Sequence, residues 1–467
     1  MARLVIVSNR VPLPAERGPR AGGLAVALAD AVQPGSLWFG WSGRRSATKD
    51  GPRLQRADGV TYATVDLSEA EYRSFYVNYS NGVLWPLLHF RLGLVQYRRE
   101  DYEGYRAVNR HLAESLAPLL KDDDLIWVHD YHLFPLAEEL RALGVENRIG
   151  FFLHTPFVPP ALMHVLPRAT DLLRAICNFD VVGFHTQSYR QAFLECVHEM
   201  LGAVRTGHGN FIHGERHVQT IVDPIGIDAA GFEATAMHAR NSAETIRLRE
   251  SLGGRALAIG VDRLDYSKGL VNRFEAFGRL LAKYPQHRRH VSFLQIAARS
   301  REESGSYQRL RRELDRIVGD TNGRFSEFDW VPLRYMTSTV RREVLAGFYS
   351  LARLGVVTPL RDGMNLVAKE YVAAQDPADP GVLILSRFAG AAEDLKEALI
   401  VNPFDADEIA DAMHDGLSMS LEERLRRYQA LHERVWDTTA SKYCARFLSY
   451  LDQSQRAAPR FSLQFAS

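Results

Sequence analysis

Short apolar runs alternate with helix-like stretches along nearly the whole chain. LVIVS (4–8), LIWVH (125–129), IGFFLH (149–154), VVGFH (181–185) and TIVDPIGI (220–227) form one series. ALAIGV (256–261), VSFLQIA (291–297), LGVVTPL (354–360), VLILS (382–386) and ALIVNP (398–403) form another. Runs this short, apolar throughout and rich in Val and Ile, read as strands covered on both faces of a parallel sheet. Between them lie helix-like segments such as HLAESLAPLL (111–120), LAEELRAL (136–143) and VNRFEAFGRLLAKY (271–284). The pattern predicts an α/β fold with two Rossmann-like, doubly wound parallel-sheet domains facing each other across a cleft. A polar, alanine-rich stretch over 228–255, closed by Gly253-Gly254, separates the series. It places one domain over residues 1–235 and the second over 236–467, with the last helix able to pack back on the first domain.

Composition narrows the functional classes. With 467 residues, 46% hydrophobic and 24% charged, the chain has the make-up of a folded globular protein. A net charge of +1 gives no electrostatic reason to expect nucleic acid, so any anion site is local. The three cysteines, Cys177, Cys196 and Cys444, show no CxxC spacing and read as buried thiols rather than as disulfides or zinc ligands. The first apolar run is too short for a signal-peptide core, and no run approaches the ~18 apolar residues that span a bilayer. A cytoplasmic enzyme without membrane contact is expected.

Ligands of open α/β sheets bind beyond the carboxyl ends of the strands. In the first domain those ends carry Asn9-Arg10, Asp130-Tyr131-His132, His154-Thr155-Pro156 and Thr186-Gln187. His129, His132 and His154 lack a spacing such as HExxH, so no metal site is predicted. Arg20-Ala21-Gly22-Gly23 precedes a helix-like run, where glycines let backbone amides approach an anion. Trp41, Tyr76 and Trp85 stand in aromatic stretches, WFGWSG and FYVNYSNGVLWP, that read as loops. They serve either as packing or as a platform for the C–H face of a sugar. Lys121-Asp122-Asp123-Asp124 precedes its strand, at the wrong end of the sheet for a ligand, and reads as a solvated turn.

In the second domain VDRLDYSKGL (261–270) follows a strand and offers Arg263 and Lys268, the pair of cations a departing diphosphate needs. QIAARSREE (295–303) offers Arg299 and Arg301 at another strand end. TPLRDGMNLVAKEYVAAQ (358–375) carries Asp362 at a turn, then Gly363, Met364 and Asn365 at a helix start, with Glu370 about one and a half turns inside. A helix start of this kind attracts phosphate, worth ~0.3–1 kcal/mol and up to ~2 when partly buried. Plain N-capping by Asp362 is the simpler reading, but it leaves Arg361, the glycine and Glu370 unexplained.

Asp362 and Glu370 resemble the acid-x7-Glu motif of retaining glycosyltransferases with the two-Rossmann GT-B fold. SNRVP, AGGLAVAL, WFGWSG, YSNGVLWP, WVHDYHL, HTPF, RLDYSKG and TPLRDGMNLVAKEYVAAQ, taken together, resemble the trehalose-6-phosphate synthase family. The resemblance implies that Arg263 and Lys268 hold the diphosphate of a nucleotide-glucose donor, UDP-glucose or another. The amides of Gly363, Met364, Asn365, Leu366 and Val367 would assist, Glu370 would meet the ribose, and Asp362 and His154 would contact the sugar. Gly23 would let an N-terminal loop close over the diphosphate. For the acceptor, glucose 6-phosphate, it implies Arg10 and Arg301 on the phosphate, Tyr76, Trp85 and Trp41 around the pocket, and Asp130 on a sugar hydroxyl.

The same resemblance implies no metal or other cofactor, a homo-oligomer, and a separate phosphatase acting on the product. Family members often carry a proline shortly before the arginine of the QIA segment; here Ala298-Arg299-Ser300-Arg301 leaves Arg299 competing for the phosphate role. Val158-Pro159-Pro160 after HTPF also departs from the family pattern. Two alternatives stand beside the main reading: another acceptor, such as glycerol 3-phosphate or a cyclitol phosphate, or a non-catalytic sugar-phosphate sensor. A nicotinamide-binding dehydrogenase is excluded because no GxGxxG follows a strand.

Overall fold

The computed structural model describes residues 2–14, 28, 32–47, 51–299 and 305–454. Gly23 and Arg301 therefore lie outside the described residues. The chain divides into two compact units: the described residues through Asp223 join those from Cys444 in the first, and Pro224–Tyr443 belong to the second. The division falls at Asp223/Pro224 rather than near 235, because the strand that ends the first series stops at Val222 and the helices after it belong to the second unit.

In the first unit the strands are β1 (Leu4–Arg10), β2 (Leu37–Arg45), β3 (Arg53–Ala57), β4 (Val60–Leu67), β5 (Leu125–His129), β6 (Arg148–Leu153), β7 (Val181–Phe184), β8 (Val204–Gly207), β9 (Asn210–His213) and β10 (Arg216–Val222). Their order is β3-β4-β2-β1-β5-β6-β7-β10-β9-β8. The middle is parallel, but β3 with β4, and β8 and β9 beside β10, pair antiparallel. The all-parallel expectation thus fails at both edges. β3 and β8 are largely exposed and polar, so they carry none of the apolar signature of the central strands.

WFGWSG is not a loop: it lies in β2, buried from Leu37 to Ser42. Gly40 is there because a Cβ would sit 2.0 Å from the Ser8 carbonyl oxygen of β1. The FYVNYSNGVL stretch is no loop either: it lies within a wide helix over Tyr72–Leu84 whose following Trp85 amide donates five residues back to Ser80 O. Helices with that spacing are uncommon and cluster at functional sites. Asp124 is likewise no solvated group: its buried carboxylate pairs with the Arg3 guanidinium (Nε to Oδ1, 2.9 Å) at the amino end of the sheet. Thr186 caps the helix Gln187–Leu201, its hydroxyl accepting from the Tyr189 amide at 3.2 Å.

The chain from Cys444 joins the first unit through Phe447. Its ring stacks on Trp127 (centroids 4.5 Å apart) and lies over β6 and β7, where a Cβ at Gly150 would come within 2.7 Å of it. Arg446 adds an ion pair to Asp223.

The second unit is a parallel sheet of β11 (Ala256–Arg263), β12 (Val291–Ala298), β13 (Leu333–Met336), β14 (Leu354–Val357), β15 (Val382–Ser386) and β16 (Leu399–Val401). Its order, β13-β12-β11-β14-β15-β16, reverses direction between β11 and β14. That switch point is where such sheets bind ligands. The helix Leu270–Lys283 buries Leu270, Phe274, Phe277 and Leu281 against this sheet, a stripe at helical spacing. No helix among the described residues is long and apolar enough to cross a membrane. All three cysteines are buried and unbridged.

Candidate active site

The loops after β11 and β14 bring Lys268 to Asp362. Lys268 closes a one-turn helix over Tyr266–Lys268, fixed by Asp265, whose carboxylate accepts from the Ser267 amide (2.9 Å) and from the Tyr307 hydroxyl (2.9 Å). The Lys268 ammonium reaches Asp362 Oδ2 at 2.5 Å, and both side chains are largely buried, 12% and 14% exposed. The Asn365 side-chain amide (Nδ2) also donates to Asp362 Oδ2 at 3.1 Å.

Asp362 is therefore not an N-cap. The helix begins later, over Leu366–Ala373, with Asn365 ahead of it in a left-handed conformation (φ 71°). The Leu366 and Val367 amides open that helix, where intrahelical acceptors are missing. Met364 is anchored below them, its carbonyl accepting from the Ala391 amide at 2.9 Å. Close packing fixes the turn: a Cβ at Gly390 would fall 1.9 Å from the Gly363 carbonyl oxygen.

Glu370 lies inside the helix, its carboxylate 3.4 Å from Arg342 Nε, and burial raises its pKa against that cation's pull. Arg342 in turn lies over the Phe232 ring. Arg263 ends β11 and is exposed, and Arg361 lies over the Phe388 ring. Gly269 follows Lys268 with φ 66°, and a Cβ there would come 2.2 Å from the Thr358 carbonyl oxygen. Gly269→Ala is expected to destabilise by more than the ~1–2 kcal/mol of a left-handed residue, because the clash adds to it. A lowered urea midpoint checks this, and an unchanged midpoint contradicts it.

The residue that the sequence reading missed is Arg273, fully buried in the second unit. Its guanidinium donates to Asp262 Oδ2 (2.6 Å), Gln295 Oε1 (2.8 Å), Thr358 Oγ1 (3.0 Å) and the Lys268 carbonyl (3.2 Å). It ties together β11, β12, the segment after β14 and the Lys268 turn. A signal was present: Arg273 interrupts the apolar stripe between Leu270 and Phe274, where a cation needs buried partners.

In the first unit Arg10 ends β1, exposed, against Gly43 of β2, where a Cβ would lie 2.8 Å from the Arg10 Nε. Trp41 donates from Nε1 to the Arg44 carbonyl (2.8 Å) and packs on Tyr72 and Tyr76, with centroids 5.6 and 5.7 Å away. Tyr76 is stacked with Tyr72 and with His132. Trp85 packs on His89 (4.0 Å) and Tyr131 (5.8 Å). Trp41 and Trp85 are 7% and 6% exposed, so they are packed walls rather than an open sugar platform.

Asp130 follows β5 with φ 76° and ψ 163°, a conformation costing ~1–3 kcal/mol that concentrates at functional sites. Its carboxylate accepts from the His154 amide at 3.3 Å. The His154 ring contacts His129 (Nε2 to Nδ1, 3.1 Å), and burial pushes its pKa down to about 3, so it is neutral at physiological pH. Among the described residues no group of His, Cys, Asp and Glu side chains is arranged to hold a metal ion. Arg10, Trp41, Tyr76, Trp85, Asp130 and His154 thus belong to the first unit, and Arg263, Lys268, Asp362 and Glu370 to the second.

Two α/β units built on largely parallel sheets, the second with a cation–carboxylate pair at its switch point, have the architecture of the GT-B class of glycosyltransferases, which the structural neighbours share. The profile of Glycosyltransferase family 20 matches residues 2–453, and the chain belongs to that family. It is 47% identical over 459 residues to the trehalose-6-phosphate synthase of Sinorhizobium fredii, covering 97% of this chain and 99% of that one. Among solved structures it resembles the UDP-forming alpha,alpha-trehalose-phosphate synthase of Burkholderia vietnamiensis (TM-score 0.95, 44% identity, 97% of each chain). It also resembles the Burkholderia xenovorans enzyme in complex with glucose-6-phosphate (TM-score 0.93, 45% identity, 96% of this chain and 100% of that one). The E. coli protein bound with UDP-2-fluoro glucose is similar to the same degree (TM-score 0.93, 43% identity, 97% and 100% covered).

Proposed function

We propose that this chain is a retaining glucosyltransferase that moves glucose from UDP-glucose to glucose 6-phosphate, forming trehalose 6-phosphate and UDP. The observation that carries the reading is the Lys268–Asp362 pair at the switch point, in a chain whose relatives bind UDP-2-fluoro glucose and glucose-6-phosphate. The bond from the donor anomeric carbon to the diphosphate oxygen breaks, and a bond to the acceptor anomeric oxygen forms on the same face. The acceptor proton passes to the departing phosphate.

Cations at the leaving group contribute most of the stabilisation in such a transfer. Arg263 and Lys268 supply them, assisted by the amides of Gly363, Met364, Asn365, Leu366 and Val367, so no metal is required. Glu370 holds the ribose, and Asp362 and His154 orient the sugar. Gly23 lets its loop approach the diphosphate. Arg10 and Arg301 hold the acceptor phosphate beside Trp41, Tyr76 and Trp85, and Asp130 takes a hydroxyl. The enzyme works as a homo-oligomer in the cytoplasm, and a separate phosphatase removes the product's phosphate.

UDP release with glucose 6-phosphate, glycerol 3-phosphate and a cyclitol phosphate as rival acceptors tests the reading. Release with glucose 6-phosphate is expected to exceed the others, and preference for another acceptor would overturn it. Arg301→Ala should raise the KM for glucose 6-phosphate roughly 10–100-fold, the worth of a charged hydrogen bond, with the KM for UDP-glucose unchanged. The same effect from Arg299→Ala instead would move the role to that residue.

A further inference from the structure

His129 and His154 meet ring to ring in the first unit, with His129 Nδ1 3.1 Å from His154 Nε2. His129 is fully buried at the end of β5, packed on Trp127, while His154 is partly exposed. Burial disfavours the charged form of both, so each ring carries one proton and their contact holds a single N–H. Two arrangements are open. If His154 donates, the His129 proton sits on Nε2, a fully buried atom with no hydrogen-bond partner among the described residues. If His129 donates, only a ring lone pair is left unpaired there. Buried orphan N–H groups are the rarer case, which favours donation from His129.

We propose that His129 is a positioning residue that fixes the tautomer of His154, holding its proton on Nδ1 so that this nitrogen donates to a hydroxyl oxygen of the transferred sugar. The inference rests on the reading that His154 contacts the donor sugar. A buried donor aimed at His154 Nε2 requires a histidine at position 129, or a side chain that mimics its Nδ1.

Long-range proton–nitrogen correlation spectra of the full chain labelled with 15N-histidine, assigned through His154→Gln, read the tautomer directly. Wild type should show His154 protonated on Nδ1. His129→Phe keeps a ring but removes the donor, and should transfer the proton to Nε2 in a substantial fraction of molecules. It should also lower turnover with UDP-glucose about tenfold, the scale of one hydrogen bond, with the KM for glucose 6-phosphate unchanged. His129→Asn places an N–H near the original Nδ1 and should restore the tautomer and most of the rate. His154 protonated on Nε2 in wild type would overturn the role of His129, whether or not the Phe variant folds. A shifted tautomer with wild-type turnover would instead overturn the contact between His154 and the sugar.

Discussion

Lys268→Ala should lower turnover with UDP-glucose and glucose 6-phosphate by roughly 10²–10³, the range for removing one preorganised group from a developing charge. The lysine is held rather than mobile: Asp265 fixes its one-turn helix, Gly269 allows the next turn, and Arg273 grips its carbonyl. Its ammonium bears three donors, of which one is directed to Asp362. Alanine removes that cation from Asp362, while the Asn365 side-chain amide still donates to its carboxylate. The loss should therefore fall mainly on turnover, with the fold intact by circular dichroism. A rate near that of the wild type would take Lys268 out of the site.

Arg273→Leu should cost about 3–5 kcal/mol of stability, the penalty for breaking a buried ion pair from one side. Leucine fits the apolar stripe but leaves the buried Asp262 carboxylate without its guanidinium. Burial already raises the pKa of Asp262 despite Arg273, and removing the cation raises it further. For an acid, a folded-state pKa above the unfolded one destabilises at high pH, and the penalty shrinks as pH falls and the carboxyl protonates. The gap between variant and wild type in urea unfolding should accordingly narrow from pH 7 towards pH 5. A gap under ~1 kcal/mol at pH 7, or one that widens on acidification, would contradict this account.

The central strands were legible because burial on both faces leaves uninterrupted apolar runs, as in LVIVS of β1 and VLILS of β15. β2 was not, because Gly40 and the tryptophans of WFGWSG imitate a loop, while the close approach of Ser8 that demands glycine is a tertiary fact. The exposed edge strands β3 and β8 offer no apolar pattern at all. The wide helix over Tyr72–Leu84 hid behind Ser80-Asn81-Gly82, a turn-like triplet that this spacing accommodates. At the candidate site, strand-end position and spacing single out Lys268, Asp362 and Glu370, and the fold brings the first two together. Their partners could not: Arg342 beside Glu370 and Arg273 behind Lys268 come from other elements, brought in by packing. The His129–His154 contact likewise joins two neighbouring strand ends whose pairing the sequence does not state.

The product itself tests the central claim most directly. After incubation with UDP-glucose and glucose 6-phosphate, proton NMR of the purified disaccharide phosphate should show two α-configured anomeric protons and no reducing end. A β-configured donor residue, a free reducing end, or no disaccharide at all would contradict retaining transfer to the anomeric oxygen of glucose 6-phosphate.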